Sequence, residues 1–259
     1  MNANRIFIPF QILFLFLTSI NILAAQNVFA PGEQLVYKAY YHLGFVWLPA
    51  ASIELSVLPN ENSRYITLQA VGKSFKRYDL FFKVRENYTS TVDAKTLAPV
   101  LATREAIEGT YQVNDRCQFN PDSGVVTYRI VRNSGGNSTG KEQIKGKFFD
   151  ILTSAYYFRT FDFAKMVVGD SYTVNTFVDG KVYPINIEFL GNEMCNDNND
   201  HQYLCAKFKV STIKGKVFSG KEDILMWVTN DAARIPIRVT SKILVGEVNV
   251  VLISAKGIK

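Results

Sequence analysis

The chain has 259 residues, 29 Lys and Arg against 23 Asp and Glu, a net charge of +6 and 47% hydrophobic residues. That apolar content on so modest a charge excludes a disordered chain and suits one large β domain or two small ones. The cations are spread without an Arg-rich stripe, which argues against nucleic acid; a solvated surface with some excess Lys is the favoured reading, and attraction to anionic lipid head groups or acidic polysaccharide is the alternative.

The first segment reads as an address. Arg5 precedes an almost wholly apolar run from Ile6 to Leu23, and Leu23-Ala24-Ala25 ends in small residues before Gln26. This pattern predicts a secretory signal peptide over residues 1–25. Pro9, Gln11 and Asn21 interrupt the run and no cationic stop-transfer cluster follows, so cleavage is expected rather than retention as an anchor. The expected product is a periplasmic or outer-membrane-associated monomer with no transmembrane span and no cofactor. Taking Arg5 away leaves it at about +5.

Period-2 alternation then dominates. Ala51, Ile53, Leu55 and Val57 point one way while Ser52, Glu54 and Ser56 point the other, and Tyr65 to Gly72 repeats the pattern. Early rings at Tyr37, Tyr40, Tyr41, Phe45 and Trp47 are followed by Phe75, Tyr78, Phe81 and Phe82 beside Lys73, Lys76, Arg77 and Lys83. Rings flanked by cations suit a rim that touches a membrane or receives an amphiphile. The plainer alternative is a strand crossing whose aromatics fill the core.

Glu105 and Glu108 lie three apart, on opposite sides of a strand, and cannot flank one glycosidic bond without a bulge. Arg104 and Glu108 share a face and suit an ion pair. Cys117 alternates with Tyr111, Val113 and Phe119, which suits a buried thiol rather than a nucleophile. Gly135-x-x-x-x-Gly140-Lys141 copies the start of a phosphate loop, but Glu142 stands where Ser or Thr is required. Ser138-x-x-Lys141 lies in the same polar hairpin tip and lacks the partner motif of a penicillin-recognising enzyme.

One segment departs from the strand pattern. Asp150 can cap a helix at about 150–161 whose apolar residues Ile151, Leu152, Ala155, Tyr156 and Phe158 recur at helical intervals. This aromatic helix is expected to plug or cover the concave face of a sheet. Arg159 is either its polar anchor or a cation awaiting an anionic head group. The segment 148–165 joins two lobes, 26–147 and 166–259, of a single domain sharing one sheet.

Strands resume after Gly169, and Asp179-Gly180 is a strong hairpin signal. Cys195 and Cys205 flank a polar loop, where an oxidising compartment would allow a bridge closing about ten residues, contributing roughly 2–3 kcal/mol. His42 and His201 are the only histidines, too few for a zinc set, and Asn196 to Asp200 lacks the glycine turn and distal Glu of a calcium loop. No metal is expected.

Several strings are characteristic together. They are Gly32 to Tyr37, Thr96-Leu97-Ala98-Pro99 with Arg104-Glu105 and Glu108-Gly109-Thr110-Tyr111, the helix Asp150 to Arg159, and Trp227 to Asp231 running into Arg234-Ile235-Pro236 and Ser241 to Gly246. As a set they resemble the bacterial exported family DUF3108, a domain of unknown function, over essentially the whole mature chain. The resemblance implies a barrel-like envelope protein and no catalytic residues.

Ten to fourteen short strands make a mainly β protein, an antiparallel rolled sheet, barrel or half-barrel around one central helix. The expected function is non-catalytic binding of an apolar or amphiphilic envelope component. Candidate residues are Trp47, Lys76, Arg77, Tyr78, Phe81, Phe82, Arg104, Tyr111, Tyr156 and Arg159. The alternatives are a structural or assembly partner with a self-filled core and, further off, a carboxylate-based hydrolase. A cavity inside the roll would favour uptake of a ligand, and a helix filling it would favour the structural role.

Overall fold

The computed structural model describes residues 28–43, 46–211, 223–242 and 246–259; the expected leader and Phe45 lie outside the described residues. Strands β1 (Gln34–Leu43), β2 (Val46–Pro59), β3 (Tyr65–Ser74) and β4 (Val84–Asp93) lead into β5 (Pro99–Glu108), β6 (Tyr111–Asn120), β7 (Val125–Arg132) and β8 (Ser138–Gln143). After helix α1 (Ile151–Phe158) come β9 (Ser171–Val178), β10 (Lys181–Asn196), β11 (Gln202–Ser211), β12 (Asp223–Thr229), β13 (Pro236–Lys242) and β14 (Glu247–Lys256). All fourteen belong to one antiparallel sheet in the order β8 to β1, then β14 to β9.

The topology is two meanders joined at β1 and β14, which pair from Gln34–Lys256 to His42–Glu247. Short turns make this connectivity, because neighbours in sequence pair with the least loop closure. Asp179 and Gly180 adopt φ of 50° and 82°, the left-handed pair that a tight two-residue hairpin demands. Register shifts at Val36/Tyr37, Ala39/Tyr40, Thr91/Val92, Phe189/Gly191 and Trp227/Val228 add local bends to the long strands.

The sheet rolls without closing. Edge strand β9 folds across the inner face of β6 and β7, where Phe177 meets Phe119 and Tyr128 at ring separations of 6.1 and 5.8 Å. Arg132 on β7 pairs with Asp179 at 3.1 Å. The β9 edge is partly capped by Phe149, whose N–H donates to Asn175 O and whose carbonyl accepts from Phe177 N.

Helix α1 sits inside the roll against β3, β4 and β9. Its cap is Asp150, whose carboxylate accepts from Leu152 N, Thr153 N, Thr153 Oγ1 and Ser90 Oγ. Tyr156 and Phe158 bury against Phe29, Leu68, Val92, Phe189 and Phe208. Phe158 and Phe208 meet edge to face at 4.8 Å. The helix therefore fills the roll, and it ends at Phe158, followed by a turn through Phe161 instead of continuing helically to 161.

The bridge that an oxidising compartment would allow between Cys195 and Cys205 is not formed in this structure, where both are buried free thiols, as is Cys117. Cys195 lies opposite Tyr203 and Cys205 opposite Glu193, so the two cysteines are diagonal neighbours across β10 and β11. Across that diagonal the two thiols still meet, Cys195 and Cys205 sharing a hydrogen bond. Among the described residues no helix is long and apolar enough to cross a membrane.

Candidate functional site: the aromatic, basic end

The link from β3 to β4 is built on a polar lock. Ser74 Oγ donates to Asp79 Oδ1 at 2.6 Å, and Arg85 closes an ion pair on the same carboxylate. These bonds hold the Asp79 carboxyl below the usual range. The amides of Phe81 and Phe82 donate to Tyr78 O, completing a tight turn after the single 3-10 turn Lys76–Tyr78. Fixing the base of the link in this way turns its apolar tip outward.

The tip is exposed to a degree unusual for such residues: Leu80 94%, Phe81 86% and Phe82 57%. Beside it, the first residues of β2 expose Val46, Trp47 and Leu48. Arg77 Nη2 donates to Pro49 O at 3.3 Å, joining the two segments, and Trp47 stacks on His42 at 4.1 Å. Lys73, Lys76, Arg77 and Lys83 are all exposed around these rings, and among the described residues none of the four forms an ion pair. Trp47, Lys76, Arg77, Tyr78, Phe81 and Phe82 thus come together at one end of the roll.

Phe82 also leans over Gly109, where a Cβ would come within 3.0 Å of the ring. Through that contact the tip borders a polar layer on the inner face of β4 to β7. Arg104 lies in register with Tyr88 and Asp115, bonds Glu108 at 3.0 Å and sits 5.5 Å from the Tyr88 ring centroid. Glu86 hydrogen-bonds Glu108, and burial followed by the charge of Glu108 pushes the Glu86 carboxyl up. Tyr111 accepts from Arg132 Nε at 3.2 Å. Arg104 and Tyr111 are therefore tied into neighbouring side chains, although Arg104 Nε itself is buried with no partner.

A cavity of about 40 Å³ beside Arg104, Asp115 and Asp150 has room for water, not for a lipid tail. Glu86 and Glu108 touch, whereas glycosidase carboxylates stand roughly 5 Å or more apart. Burial likewise pushes the Cys117 thiol far up, which leaves it a poor nucleophile.

Tyr156 and Arg159 do not join this end, and their reading as ligand contacts is corrected. Arg159 is 3% exposed and grips Glu33, itself 1% exposed, through two bonds of 2.6 and 2.9 Å. It also donates to the carbonyls of Arg234 and Ala233. Arg159 is the polar anchor of α1, and Tyr156 is core. Sequence reasoning missed Glu33 and Glu86, whose partners, Arg159 at the end of α1 and Glu108 on β5, are distant in sequence; their polar neighbours Gln34, Arg85 and Asn87 gave no local signal.

The loop after β10 is self-satisfied too. Asp197 accepts from Asn199 N, His201 N and His201 Nδ1, and Asn198 N donates to Leu252 O.

Fold and site together define an unclosed, helix-plugged β-roll with an aromatic, basic end. The chain belongs to the family described as a protein of unknown function, DUF3108, whose model matches residues 36–253. It is similar to the crystal structure of a beta-barrel-like protein of domain of unknown function DUF1849 from Brucella abortus. That likeness covers 88% of this chain and 98% of the other at 10% identity, with a TM-score of 0.53, and shows the fold alone. No curated protein matches the chain.

Proposed function

We propose that this is an exported, non-catalytic envelope protein that binds an amphiphile, an anionic lipid surface, through the aromatic, basic end of the roll. The observation that carries this reading is the near-complete exposure of Leu80 and Phe81 on the β3–β4 link, which together with the end of β3 also carries four exposed cations, Lys73, Lys76, Arg77 and Lys83. Burying each side chain is worth roughly 1.5–3 kcal/mol. Each cation near an anionic membrane surface adds about 1 kcal/mol. The leader expected over residues 1–25 supports export.

The filled interior supports contact at the surface instead of uptake into a cavity. A protein partner would also cover an apolar patch; the surrounding lysines favour phosphate-bearing head groups.

Sedimentation of the chain from Gln26 onward with vesicles tests this. Phosphatidylglycerol vesicles should pull the protein down, phosphatidylcholine vesicles should not, and added salt should release it. Leu80→Ser with Phe81→Ser should abolish pelleting while the circular dichroism spectrum stays unchanged. Equal pelleting of the folded double variant, or none by the parent protein, would sink the reading.

A further inference from the structure

Strands β6 to β8 carry a second cationic surface on the face turned away from the buried side chains. Arg116 and Arg129 lie directly opposite each other in register, and both are exposed. Thr103 and Thr139 extend that row on either side. Two residues along, Gln118, Thr127 and Lys141 make a parallel row. Apart from Thr103, the residues of both rows line an open groove of about 510 Å³.

Like charges directly opposite on neighbouring strands are destabilising. Sheets ordinarily answer such a pair with a carboxylate. Here, among the described residues, Arg116, Arg129 and Lys141 make no ion pair, and no acidic side chain lines the groove. Strand spacing places the two guanidinium groups about 5 Å apart at their bases, with the ammonium some 7–10 Å along the groove. Guanidinium forks bind carboxylate, sulfate or phosphate in a bidentate way. Threonine hydroxyls and the Gln118 amide can bond the neutral hydroxyls between such charges.

We infer that the outer face of β6 to β8 is a binding groove for an acidic polysaccharide, with Arg116, Arg129 and Lys141 on its anionic groups and Thr127, Thr139 and Gln118 on its hydroxyls. This groove is independent of the aromatic end, and either surface can exist without the other.

The test uses heparin as the acidic glycan, neutral dextran, inorganic phosphate and phosphatidylglycerol vesicles. The parent protein should bind heparin and not dextran. Arg116→Gln with Arg129→Gln should weaken heparin binding at least about tenfold, the loss expected for charge-assisted bonds. The same variant should melt higher than the parent in low salt without glycan, because the repulsion is gone, and should still pellet with vesicles if the aromatic end binds them. Lys95→Gln with Lys181→Gln removes equal charge from other exposed sites and should change heparin affinity less than twofold. Equal losses in the two double variants, tight dextran binding, or an arginine variant that binds heparin like the parent would overturn the proposal. Saturation by inorganic phosphate alone would do the same, since it would reduce the groove to a simple anion site.

Discussion

Glu86, Glu108 and Arg104 show how much of a polar contact is set by register. Arg104 and Glu108 are four apart on one strand, so their shared face follows from alternation, while their ion pair also needs the long Arg104 side chain to reach along the strand. Glu86 reaches the same pair from β4, opposite Ala106, and nothing in the order of residues reveals that alignment. Its carboxyl is raised by burial first and by Glu108 next. A carboxyl raised on folding binds protons more tightly in the folded state. Its stabilising contribution is full below the unfolded value of about 4.3 and is lost as pH rises through the folded value. Glu86→Gln keeps a hydrogen bond to Glu108 and removes the charge. Urea midpoints at pH 4, 6 and 8 should therefore fall more steeply with pH for the parent than for the variant, with the variant more stable at pH 8. Parallel slopes would refute the raised Glu86 carboxyl.

At the scale of the element, α1 was legible and its fastening was not. The cap at Asp150 and the spacing of Leu152, Tyr156 and Phe158 announce a helix with one apolar face. Its anchor depends on Glu33, 126 residues upstream, and on the carbonyls before β13. Removing Arg159 leaves Glu33 charged and buried, so Arg159→Met should cost about 3–5 kcal/mol in equilibrium urea unfolding. Adding Glu33→Gln should recover part of that loss, because no uncompensated charge then remains. A double variant no better than the single one would show that packing, not the ion pair, holds the helix. The aromatic tip at 80–82 was legible as rings among cations; its exposure was not, because the same string fits a core crossing equally well.

For the whole molecule, the β class and the hairpin order follow from alternation and turn residues, but the junction of β1 with β14 does not. That pairing joins the first and last strands and turns two meanders into one sheet. Core residues from both meanders meet around α1. Unfolding is therefore expected to be one cooperative event, with far-ultraviolet circular dichroism and tryptophan fluorescence giving coincident urea transitions. Trp47 sits on the first meander and Trp227 on the second, so two separate fluorescence steps would mark independent lobes.

The sequence by itself determined the strand-rich class, the capped helix, the Asp179-Gly180 hairpin and the clustering of rings with lysines, because each is written in residues within a few positions of one another. Tertiary structure decided that the helix fills the roll, that Arg159 belongs to Glu33, and that Leu80 and Phe81 face outward. Each of those depends on which distant strand arrives at which register, and a pattern of period two is the same for every register that keeps the apolar face inside.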